Sequence, residues 1–200
     1  MDNFKLSKFM YETLAAGGTN QLPISSVCNA KCIFCSNKMN PFHIYRVGFR
    51  SLADIKKGIN LLDEASEIRL GDSLPGRIAE GEALLHPNIY QILKLIRHRR
   101  PQNIIQIPTN GTVLTKDVIK KLIPYQPMKF TISYHSDNQK FWRKAFGLGK
   151  NEFHIARDSF VHLKRNNFLI EVVVVPLPQL TGYNDIEHTL TVLSVLQKKL

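Results

Sequence analysis

The sequence predicts an α/β fold organised on a parallel sheet. Three observations carry that reading. Strand-like and helix-like stretches alternate about five times along the chain, the strand candidates Asn103–Thr109 and Phe168–Val175 are apolar and β-branched, and no repeat or linker divides the 200 residues. Such an alternation favours right-handed crossovers between parallel neighbours.

Each element follows from its local pattern. Phe4–Ala16 reads as a short amphipathic helix stopped at Gly17-Gly18, so residues 1–20 form a helical extension and residues 21–200 the core domain. Leu22–Val27 is the first strand and runs directly into the cysteines. Leu52, Ile55, Ile59 and Leu62 recur at helical spacing within Leu52–Glu64, with Ser51 and Asp54 as a capping box. Glu67–Gly71 is a short strand, with Ile78–Glu82 as a second piece of it. Tyr90–Arg97 is a helix entered from His86-Pro87-Asn88, and the strand Asn103–Thr109 ends in a turn at Asn110-Gly111 before a helix over Thr115–Ile123.

Lys129–Tyr134 is the fourth strand, and a longer loop then leads to a helix carrying Phe153, Ala156, Phe160 and Leu163 on one face. Phe168–Val175 is apolar enough to be a strand covered on both sides. The last element is a helix, Ile186–Lys199, with Ile186, Leu190, Leu193 and Leu196 aligned. In a β/α arc that helix leads into another strand, so the expectation is a chain that is truncated or unusually short.

Composition bounds the function. Lysine and arginine number 27 against 16 aspartates and glutamates, a net charge of +11, while 44% hydrophobic and 22% charged residues are those of an ordinary globular protein. The basic groups Arg97-His98-Arg99-Arg100, Lys120-Lys121, Lys164-Arg165 and Lys198-Lys199 fall near helix C-termini, where cations complement the helix dipole. Nucleic acid is therefore not the favoured partner. No apolar run approaches the ~20 residues of a membrane span, and Met1-Asp2-Asn3-Phe4-Lys5 starts no apolar signal core, so the expected location is cytoplasmic.

All 3 cysteines fall in Cys28-Asn29-Ala30-Lys31-Cys32-Ile33-Phe34-Cys35. In a reducing compartment such a cluster means metal binding or catalysis rather than a disulfide scaffold. Thiolates spaced in this way after a strand can hold three corners of a cubic iron–sulfur cluster and leave the fourth iron open for chemistry. The alternative is a non-catalytic zinc site made of the three cysteines and His43, serving structure or nucleic-acid binding.

The rest of the chain resembles the radical S-adenosylmethionine superfamily. Phe34 precedes the last cysteine, as is common there, and Glu80-Gly81-Glu82-Ala83-Leu84-Leu85-His86-Pro87 is similar to the family's Gly-Gly-Glu-Pro-Leu-Leu-His-Pro stretch after its second strand. Thr109-Asn110-Gly111-Thr112 resembles the turn after its third strand, and Ser133-Tyr134-His135-Ser136-Asp137 with Trp142-Arg143 and Gly147 the segment after its fourth. Glu80 and Ala83 depart from the pattern, and Asp72–Arg77 is an insertion before the second motif.

The resemblance implies a partial (β/α)6 TIM-like barrel, here lacking the last strand, with cofactors at the carboxyl ends of the strands. It implies that Cys28, Cys32 and Cys35 hold a [4Fe–4S] cluster, whose open iron binds S-adenosylmethionine. Reductive cleavage of that cofactor then gives a deoxyadenosyl radical, which abstracts hydrogen from a substrate. An electron donor such as a flavodoxin or ferredoxin is implied as partner.

Glu82 would accept from the cofactor's ammonium, or be only a first-turn helix carboxylate; Gly81 would allow close backbone approach. Asn110 serves first as a turn residue and second as a cofactor contact. Ser133 would meet the ribose or be a plain strand-terminal serine, Arg143 would pair with the cofactor carboxylate or be solvated in a polar loop, and Phe34 would touch the adenine or shield the cluster from water. His135 would line the substrate side, or, as the plainer expectation, stand at the surface.

Overall fold

A computed structural model describes residues 20–35, 38, 46, 48–64, 67–71 and 80–198. The predicted N-terminal helix, His43 and the Asp72–Arg77 insertion lie outside them. Five parallel strands are hydrogen-bonded in chain order: β1 (Asn20–Gln21), β2 (Ile68–Arg69), β3 (Ile105–Thr109), β4 (Met128–Ser133) and β5 (Leu169–Val173). The sheet is not closed, and β1 and β5 are its edges, consistent with a partial barrel. The α/β class read from the alternation is thus the observed one.

The chain falls into two compact units. The first (Met1–Asn29, Ser36–Pro108 and Tyr125–Lys129) carries β1, β2, most of β3 and the start of β4, with helices α1 (Leu52–Asn60) and α2 (Ile89–Arg99). Asn20 is in register with Ile68, and Ile68 with Ile105. β1 is short, yet the ladder continues beyond it: Leu22 N–H donates to the Arg69 carbonyl at 2.8 Å, and Gly71 N–H to that of Leu22 at 3.2 Å. Leu22, Ile24, Ile55, Ile68, Ile92 and Ile96 are completely buried between sheet and helices. Their burial is the main stabilising contribution, about 1.5–3 kcal/mol for each such side chain.

α1 starts where the capping box predicts, with the Ser51 hydroxyl accepting from Asp54 N–H at 3.2 Å. It stops at Asn60, short of the predicted Glu64, because other partners take the next backbone groups. The Asn20 carboxamide exchanges two 2.7 Å hydrogen bonds with the backbone of Asp63, and the Arg100 guanidinium donates to the Leu62 carbonyl. Arg97, in the basic last turn of α2, donates to the carbonyls of Tyr125 (2.8 Å), Asn103 (2.6 Å) and Pro127 (2.5 Å). That cation neutralises the helix terminus and pins the loops entering β3 and β4.

The second unit (Ala30–Cys35, Thr109–Pro124 and Phe130–Leu200) holds the end of β3, the rest of β4, and β5. Its helices are α3 (Lys116–Leu122), α4 (Gln139–Phe146), α5 (Lys150–Arg165), α6 (Pro178–Thr181) and α7 (Tyr183–Lys198). Phe130, Ile132, Trp142 and Leu163 are completely buried. At the exit of β4, Asp137 accepts from the Tyr134 hydroxyl at 2.7 Å and from Arg157 Nε at 2.9 Å. Asp137 N–H donates to the Thr189 hydroxyl at 2.9 Å, which ties α7 to the same corner.

Three elements differ from what their sequence patterns predict. The long loop after β4 contains α4, a helix set by its ends: the Asn138 carboxamide caps its first turn, and Gly147, at φ 65°, closes it in the left-handed region. β5 is not covered on both sides. Leu169 is 49% exposed, and Val173 and Val175 are also open to solvent. A continuous apolar run does not by itself say how many faces are buried. The final helix begins at Tyr183, earlier than Ile186, after the separate α6, and its predicted apolar stripe is incompletely buried, with Leu190 at 51% exposure. Ile170, Val172 and Val174 of the β5 segment, with Leu190 and Leu193 of α7, instead line an apolar groove of about 520 Å³.

Candidate active site

Each described residue singled out for the cluster or its cofactor stands at the carboxyl end of its strand or on the segment that follows it. The cysteine run follows the β1 ladder as a non-helical loop, and none of its three thiols is in a disulfide. Cys28 is exposed; Cys32 and Cys35 are half-buried. Cys35 N–H turns back onto the Cys32 carbonyl at 3.4 Å.

Within the first unit, Gly81 and Glu82 lie against the residues that lead into Cys28. Gly81 N–H donates to the Ser25 carbonyl at 3.0 Å and Glu82 N–H to the Val27 carbonyl at 2.8 Å. A Cβ on Gly81 would stand 2.3 Å from the Val27 oxygen, so only glycine permits this approach. Glu82 caps the 3-10 turn Ala83–Leu85 with no side-chain cap bond, and it is buried, unlike a solvated first-turn carboxylate. His86 is also buried, its Nδ1 accepting from Asn88 N–H at 3.1 Å and its Nε2–H donating to the Arg50 carbonyl at 3.0 Å. Burial lowers its pKa, opposed by the bond to Arg50.

Within the second unit, Asn110 is buried and makes the turn expected of it. Its Oδ1 accepts from Thr112 N–H at 3.0 Å and from the Thr112 hydroxyl at 2.6 Å, while Gly111 takes a φ of 78°. Ser133 is half-buried at the end of β4, and Arg143 is exposed on α4.

Phe34 packs edge-to-face against His135, ring centroids 4.1 Å apart, and against Phe146 at 5.3 Å. His135 is only 2% exposed, which overturns the surface expectation. Its Nδ1 accepts from Val175 N–H at 2.9 Å, and burial pushes its pKa down to about 4. The one sequence signal for this buried position is its place two residues beyond β4, beside the aromatic Tyr134. Phe146 and Val175 had no such signal.

The donor set fits an iron–sulfur cluster: three thiols on one short loop, reachable from solvent. Among the described residues, no three His, Cys, Asp or Glu side chains gather as a single-ion site requires. Among the same residues, no helix is long and apolar enough to cross a membrane.

Fold and site together define a parallel α/β protein that carries its candidate chemistry on the loops after its strands. Residues 22–193 match the sequence profile described as the Radical SAM superfamily. The chain belongs to the radical S-adenosylmethionine superfamily, a family of enzymes.

Among solved structures, native anSMEcpe with bound AdoMet is similar at a TM-score of 0.63 and 16% identity, over 87% of this chain and 48% of that one. SuiB of Streptococcus suis, bound to precursor peptide SuiA, gives 0.65 and 16%, over 90% and 37%. Methylornithine synthase (PylB) gives 0.56 and 17%, over 96% and 58%. The chain therefore spans about half the length, or less, of the first two. No curated protein matches it significantly.

Proposed function

We propose that this chain is the core of a radical S-adenosylmethionine enzyme, with Cys28, Cys32 and Cys35 holding a [4Fe–4S] cluster. The observation that supports this most is the three-thiol loop after the first strand of a chain that belongs to the superfamily. When bound, such a cluster supplies an electron that cleaves S-adenosylmethionine to methionine and a deoxyadenosyl radical, the species that takes hydrogen from substrate.

The residues of the chain have distinct tasks in this reading. Gly81 keeps the backbone after β2 close to Val27, and Glu82 offers a buried carboxylate to a cationic group of the cofactor. Asn110 holds its turn through Oδ1 and directs its carboxamide nitrogen to the cofactor. Ser133 and Arg143 contribute a ribose contact and a carboxylate partner, and Phe34 shields the cluster from water. The same reading takes the protein to be cytoplasmic, with a flavodoxin or ferredoxin as electron donor.

The test is anaerobic reconstitution with iron and sulfide, reduction in the presence of S-adenosylmethionine, and assay for deoxyadenosine. Deoxyadenosine from the parent chain and none from Cys32→Ala supports the reading. One tightly held zinc per chain, with no cluster assembled, overturns it in favour of the structural zinc site.

A further inference from the structure

His135 satisfies one ring nitrogen and leaves the other without a hydrogen-bond partner. Val175 N–H donates to Nδ1 at 2.9 Å, which fixes the proton of the neutral ring on Nε2; Nε2 is buried and has no hydrogen-bond acceptor among the described residues. A buried N–H of this kind is unfavourable. His86, with the same tautomer, gives its Nε2–H to the Arg50 carbonyl. Polarity at Nε2 therefore does not account for a histidine at 135.

Its ring contacts do. His135 lies parallel to Phe146, 5.2 Å between centroids and 5° between planes, and Phe34 stands nearly perpendicular to both. The loop that carries Phe34 is laid along the end of α4 by two backbone bonds, Lys31 N–H to the Phe146 carbonyl at 2.8 Å and Ile33 N–H to the Ala145 carbonyl at 2.9 Å. Gly147 completes that contact, since a Cβ there would come within 3.0 Å of Lys31 Cβ.

We propose that His135 is a positioning residue for the cysteine loop: anchored through Val175, its ring and that of Phe146 form the seat of Phe34, and so fix the backbone of Cys35. Only a side chain with both an acceptor at Nδ1 and a flat aromatic ring does this. Phenylalanine leaves Val175 N–H without its acceptor, and asparagine supplies the acceptor without the ring. The consequence for a cluster rests on the function proposed above; the seat itself does not.

The test is carried out on the full chain without metal, by following iodoacetamide alkylation at each cysteine by peptide mass spectrometry. Exposed Cys28 serves as the internal reference. Phe34→Ala and His135→Asn are each expected to raise the Cys35 rate relative to Cys28 about tenfold, as loss of aromatic packing frees the loop. The double variant is expected to be no faster than the faster single one, because both remove the same seat. His135→Phe, which keeps the ring but loses the anchor to Val175, is expected to raise the Cys35 rate about threefold, less than His135→Asn.

An unchanged Cys35 rate in His135→Asn overturns the proposal, as do effects of the two substitutions that multiply in the double variant. A rise shared equally by all three cysteines reports general unfolding and also overturns it. If Cys35 responds as stated but no cluster assembles in the parent, the seat stands and the enzymatic reading falls. If the cluster assembles and Cys35 does not respond, the reverse holds.

Discussion

Gly81 and Val27 approach so closely that a methyl group on Gly81 would overlap the Val27 backbone, 2.3 Å from its oxygen and 2.6 Å from its nitrogen. The obstacle is main chain rather than a flexible side chain, so it cannot swing away. Gly81→Ala is expected to cost about 1–3 kcal/mol of stability, the usual penalty for overpacking. Urea unfolding checks this through a lower midpoint at unchanged slope. The same variant is expected to weaken binding of S-adenosylmethionine to the cluster-loaded protein, since Glu82 moves with Gly81.

Acid is expected to destabilise the fold through buried neutral histidines. The pKa of His135 falls from 6.5 to about 4 on folding, and that of His86 is lowered as well. Between those two values the unfolded chain holds a proton on residue 135 that the folded chain does not, so stability rises with pH across this window. It is complete above 6.5 and is lost as pH falls toward 4, with about 3 kcal/mol from His135. His135→Phe is expected to flatten this part of a plot of unfolding free energy against pH, leaving the smaller slope due to His86.

Asn110 allows its turn and its cofactor contact to be separated. The turn needs an acceptor at Oδ1, which aspartate also provides. Asn110→Asp is expected to keep stability within about 0.5 kcal/mol, while Asn110→Ala loses about 1 kcal/mol. If the carboxamide nitrogen meets the cofactor, both variants lose affinity for S-adenosylmethionine, measured by equilibrium dialysis against the cluster-loaded chain.

The half-open apolar residues of β5 and α7 contribute little to the fold as it stands. Leu169→Lys and Leu190→Glu, at positions about half exposed, are expected to change stability by no more than about 0.5 kcal/mol, whereas Leu163→Ala in the completely buried core costs 2–5 kcal/mol or about that order. Thermal unfolding of the three variants side by side checks the contrast.

Much of the fold was legible because local signals and tertiary packing agree. Ser51 caps its helix, Asn110-Gly111 makes its turn, and the basic residues at 97–99 and 120–121 do occupy last turns of helices. Helix α4 was not legible, being short and flanked by polar residues; its signal was the pair Asn138 and Gly147 at its two ends. The exposed face of β5 was illegible for a different reason. Hydrophobicity records what a residue can bury, while what covers it depends on the rest of the protein.

The candidate site divides in the same way. Cysteine spacing and the motifs at 80–87 and 109–112 are chain-local and could be read directly. The seat of Phe34 joins positions 34, 135, 146 and 175, whose contact exists only after the second unit has folded. That separation in sequence is why the histidine at 135 reads as a surface residue until the structure shows it buried.

The most direct measurement is electron paramagnetic resonance of the anaerobically reconstituted and reduced chain, with and without S-adenosylmethionine. The reduced chain is expected to give the signal of a [4Fe–4S] cluster that changes shape when the cofactor is added and is absent from Cys28→Ala, Cys32→Ala and Cys35→Ala. A chain that holds zinc and gives no cluster signal, or a cluster whose signal ignores the cofactor, rules out a radical S-adenosylmethionine centre at these cysteines.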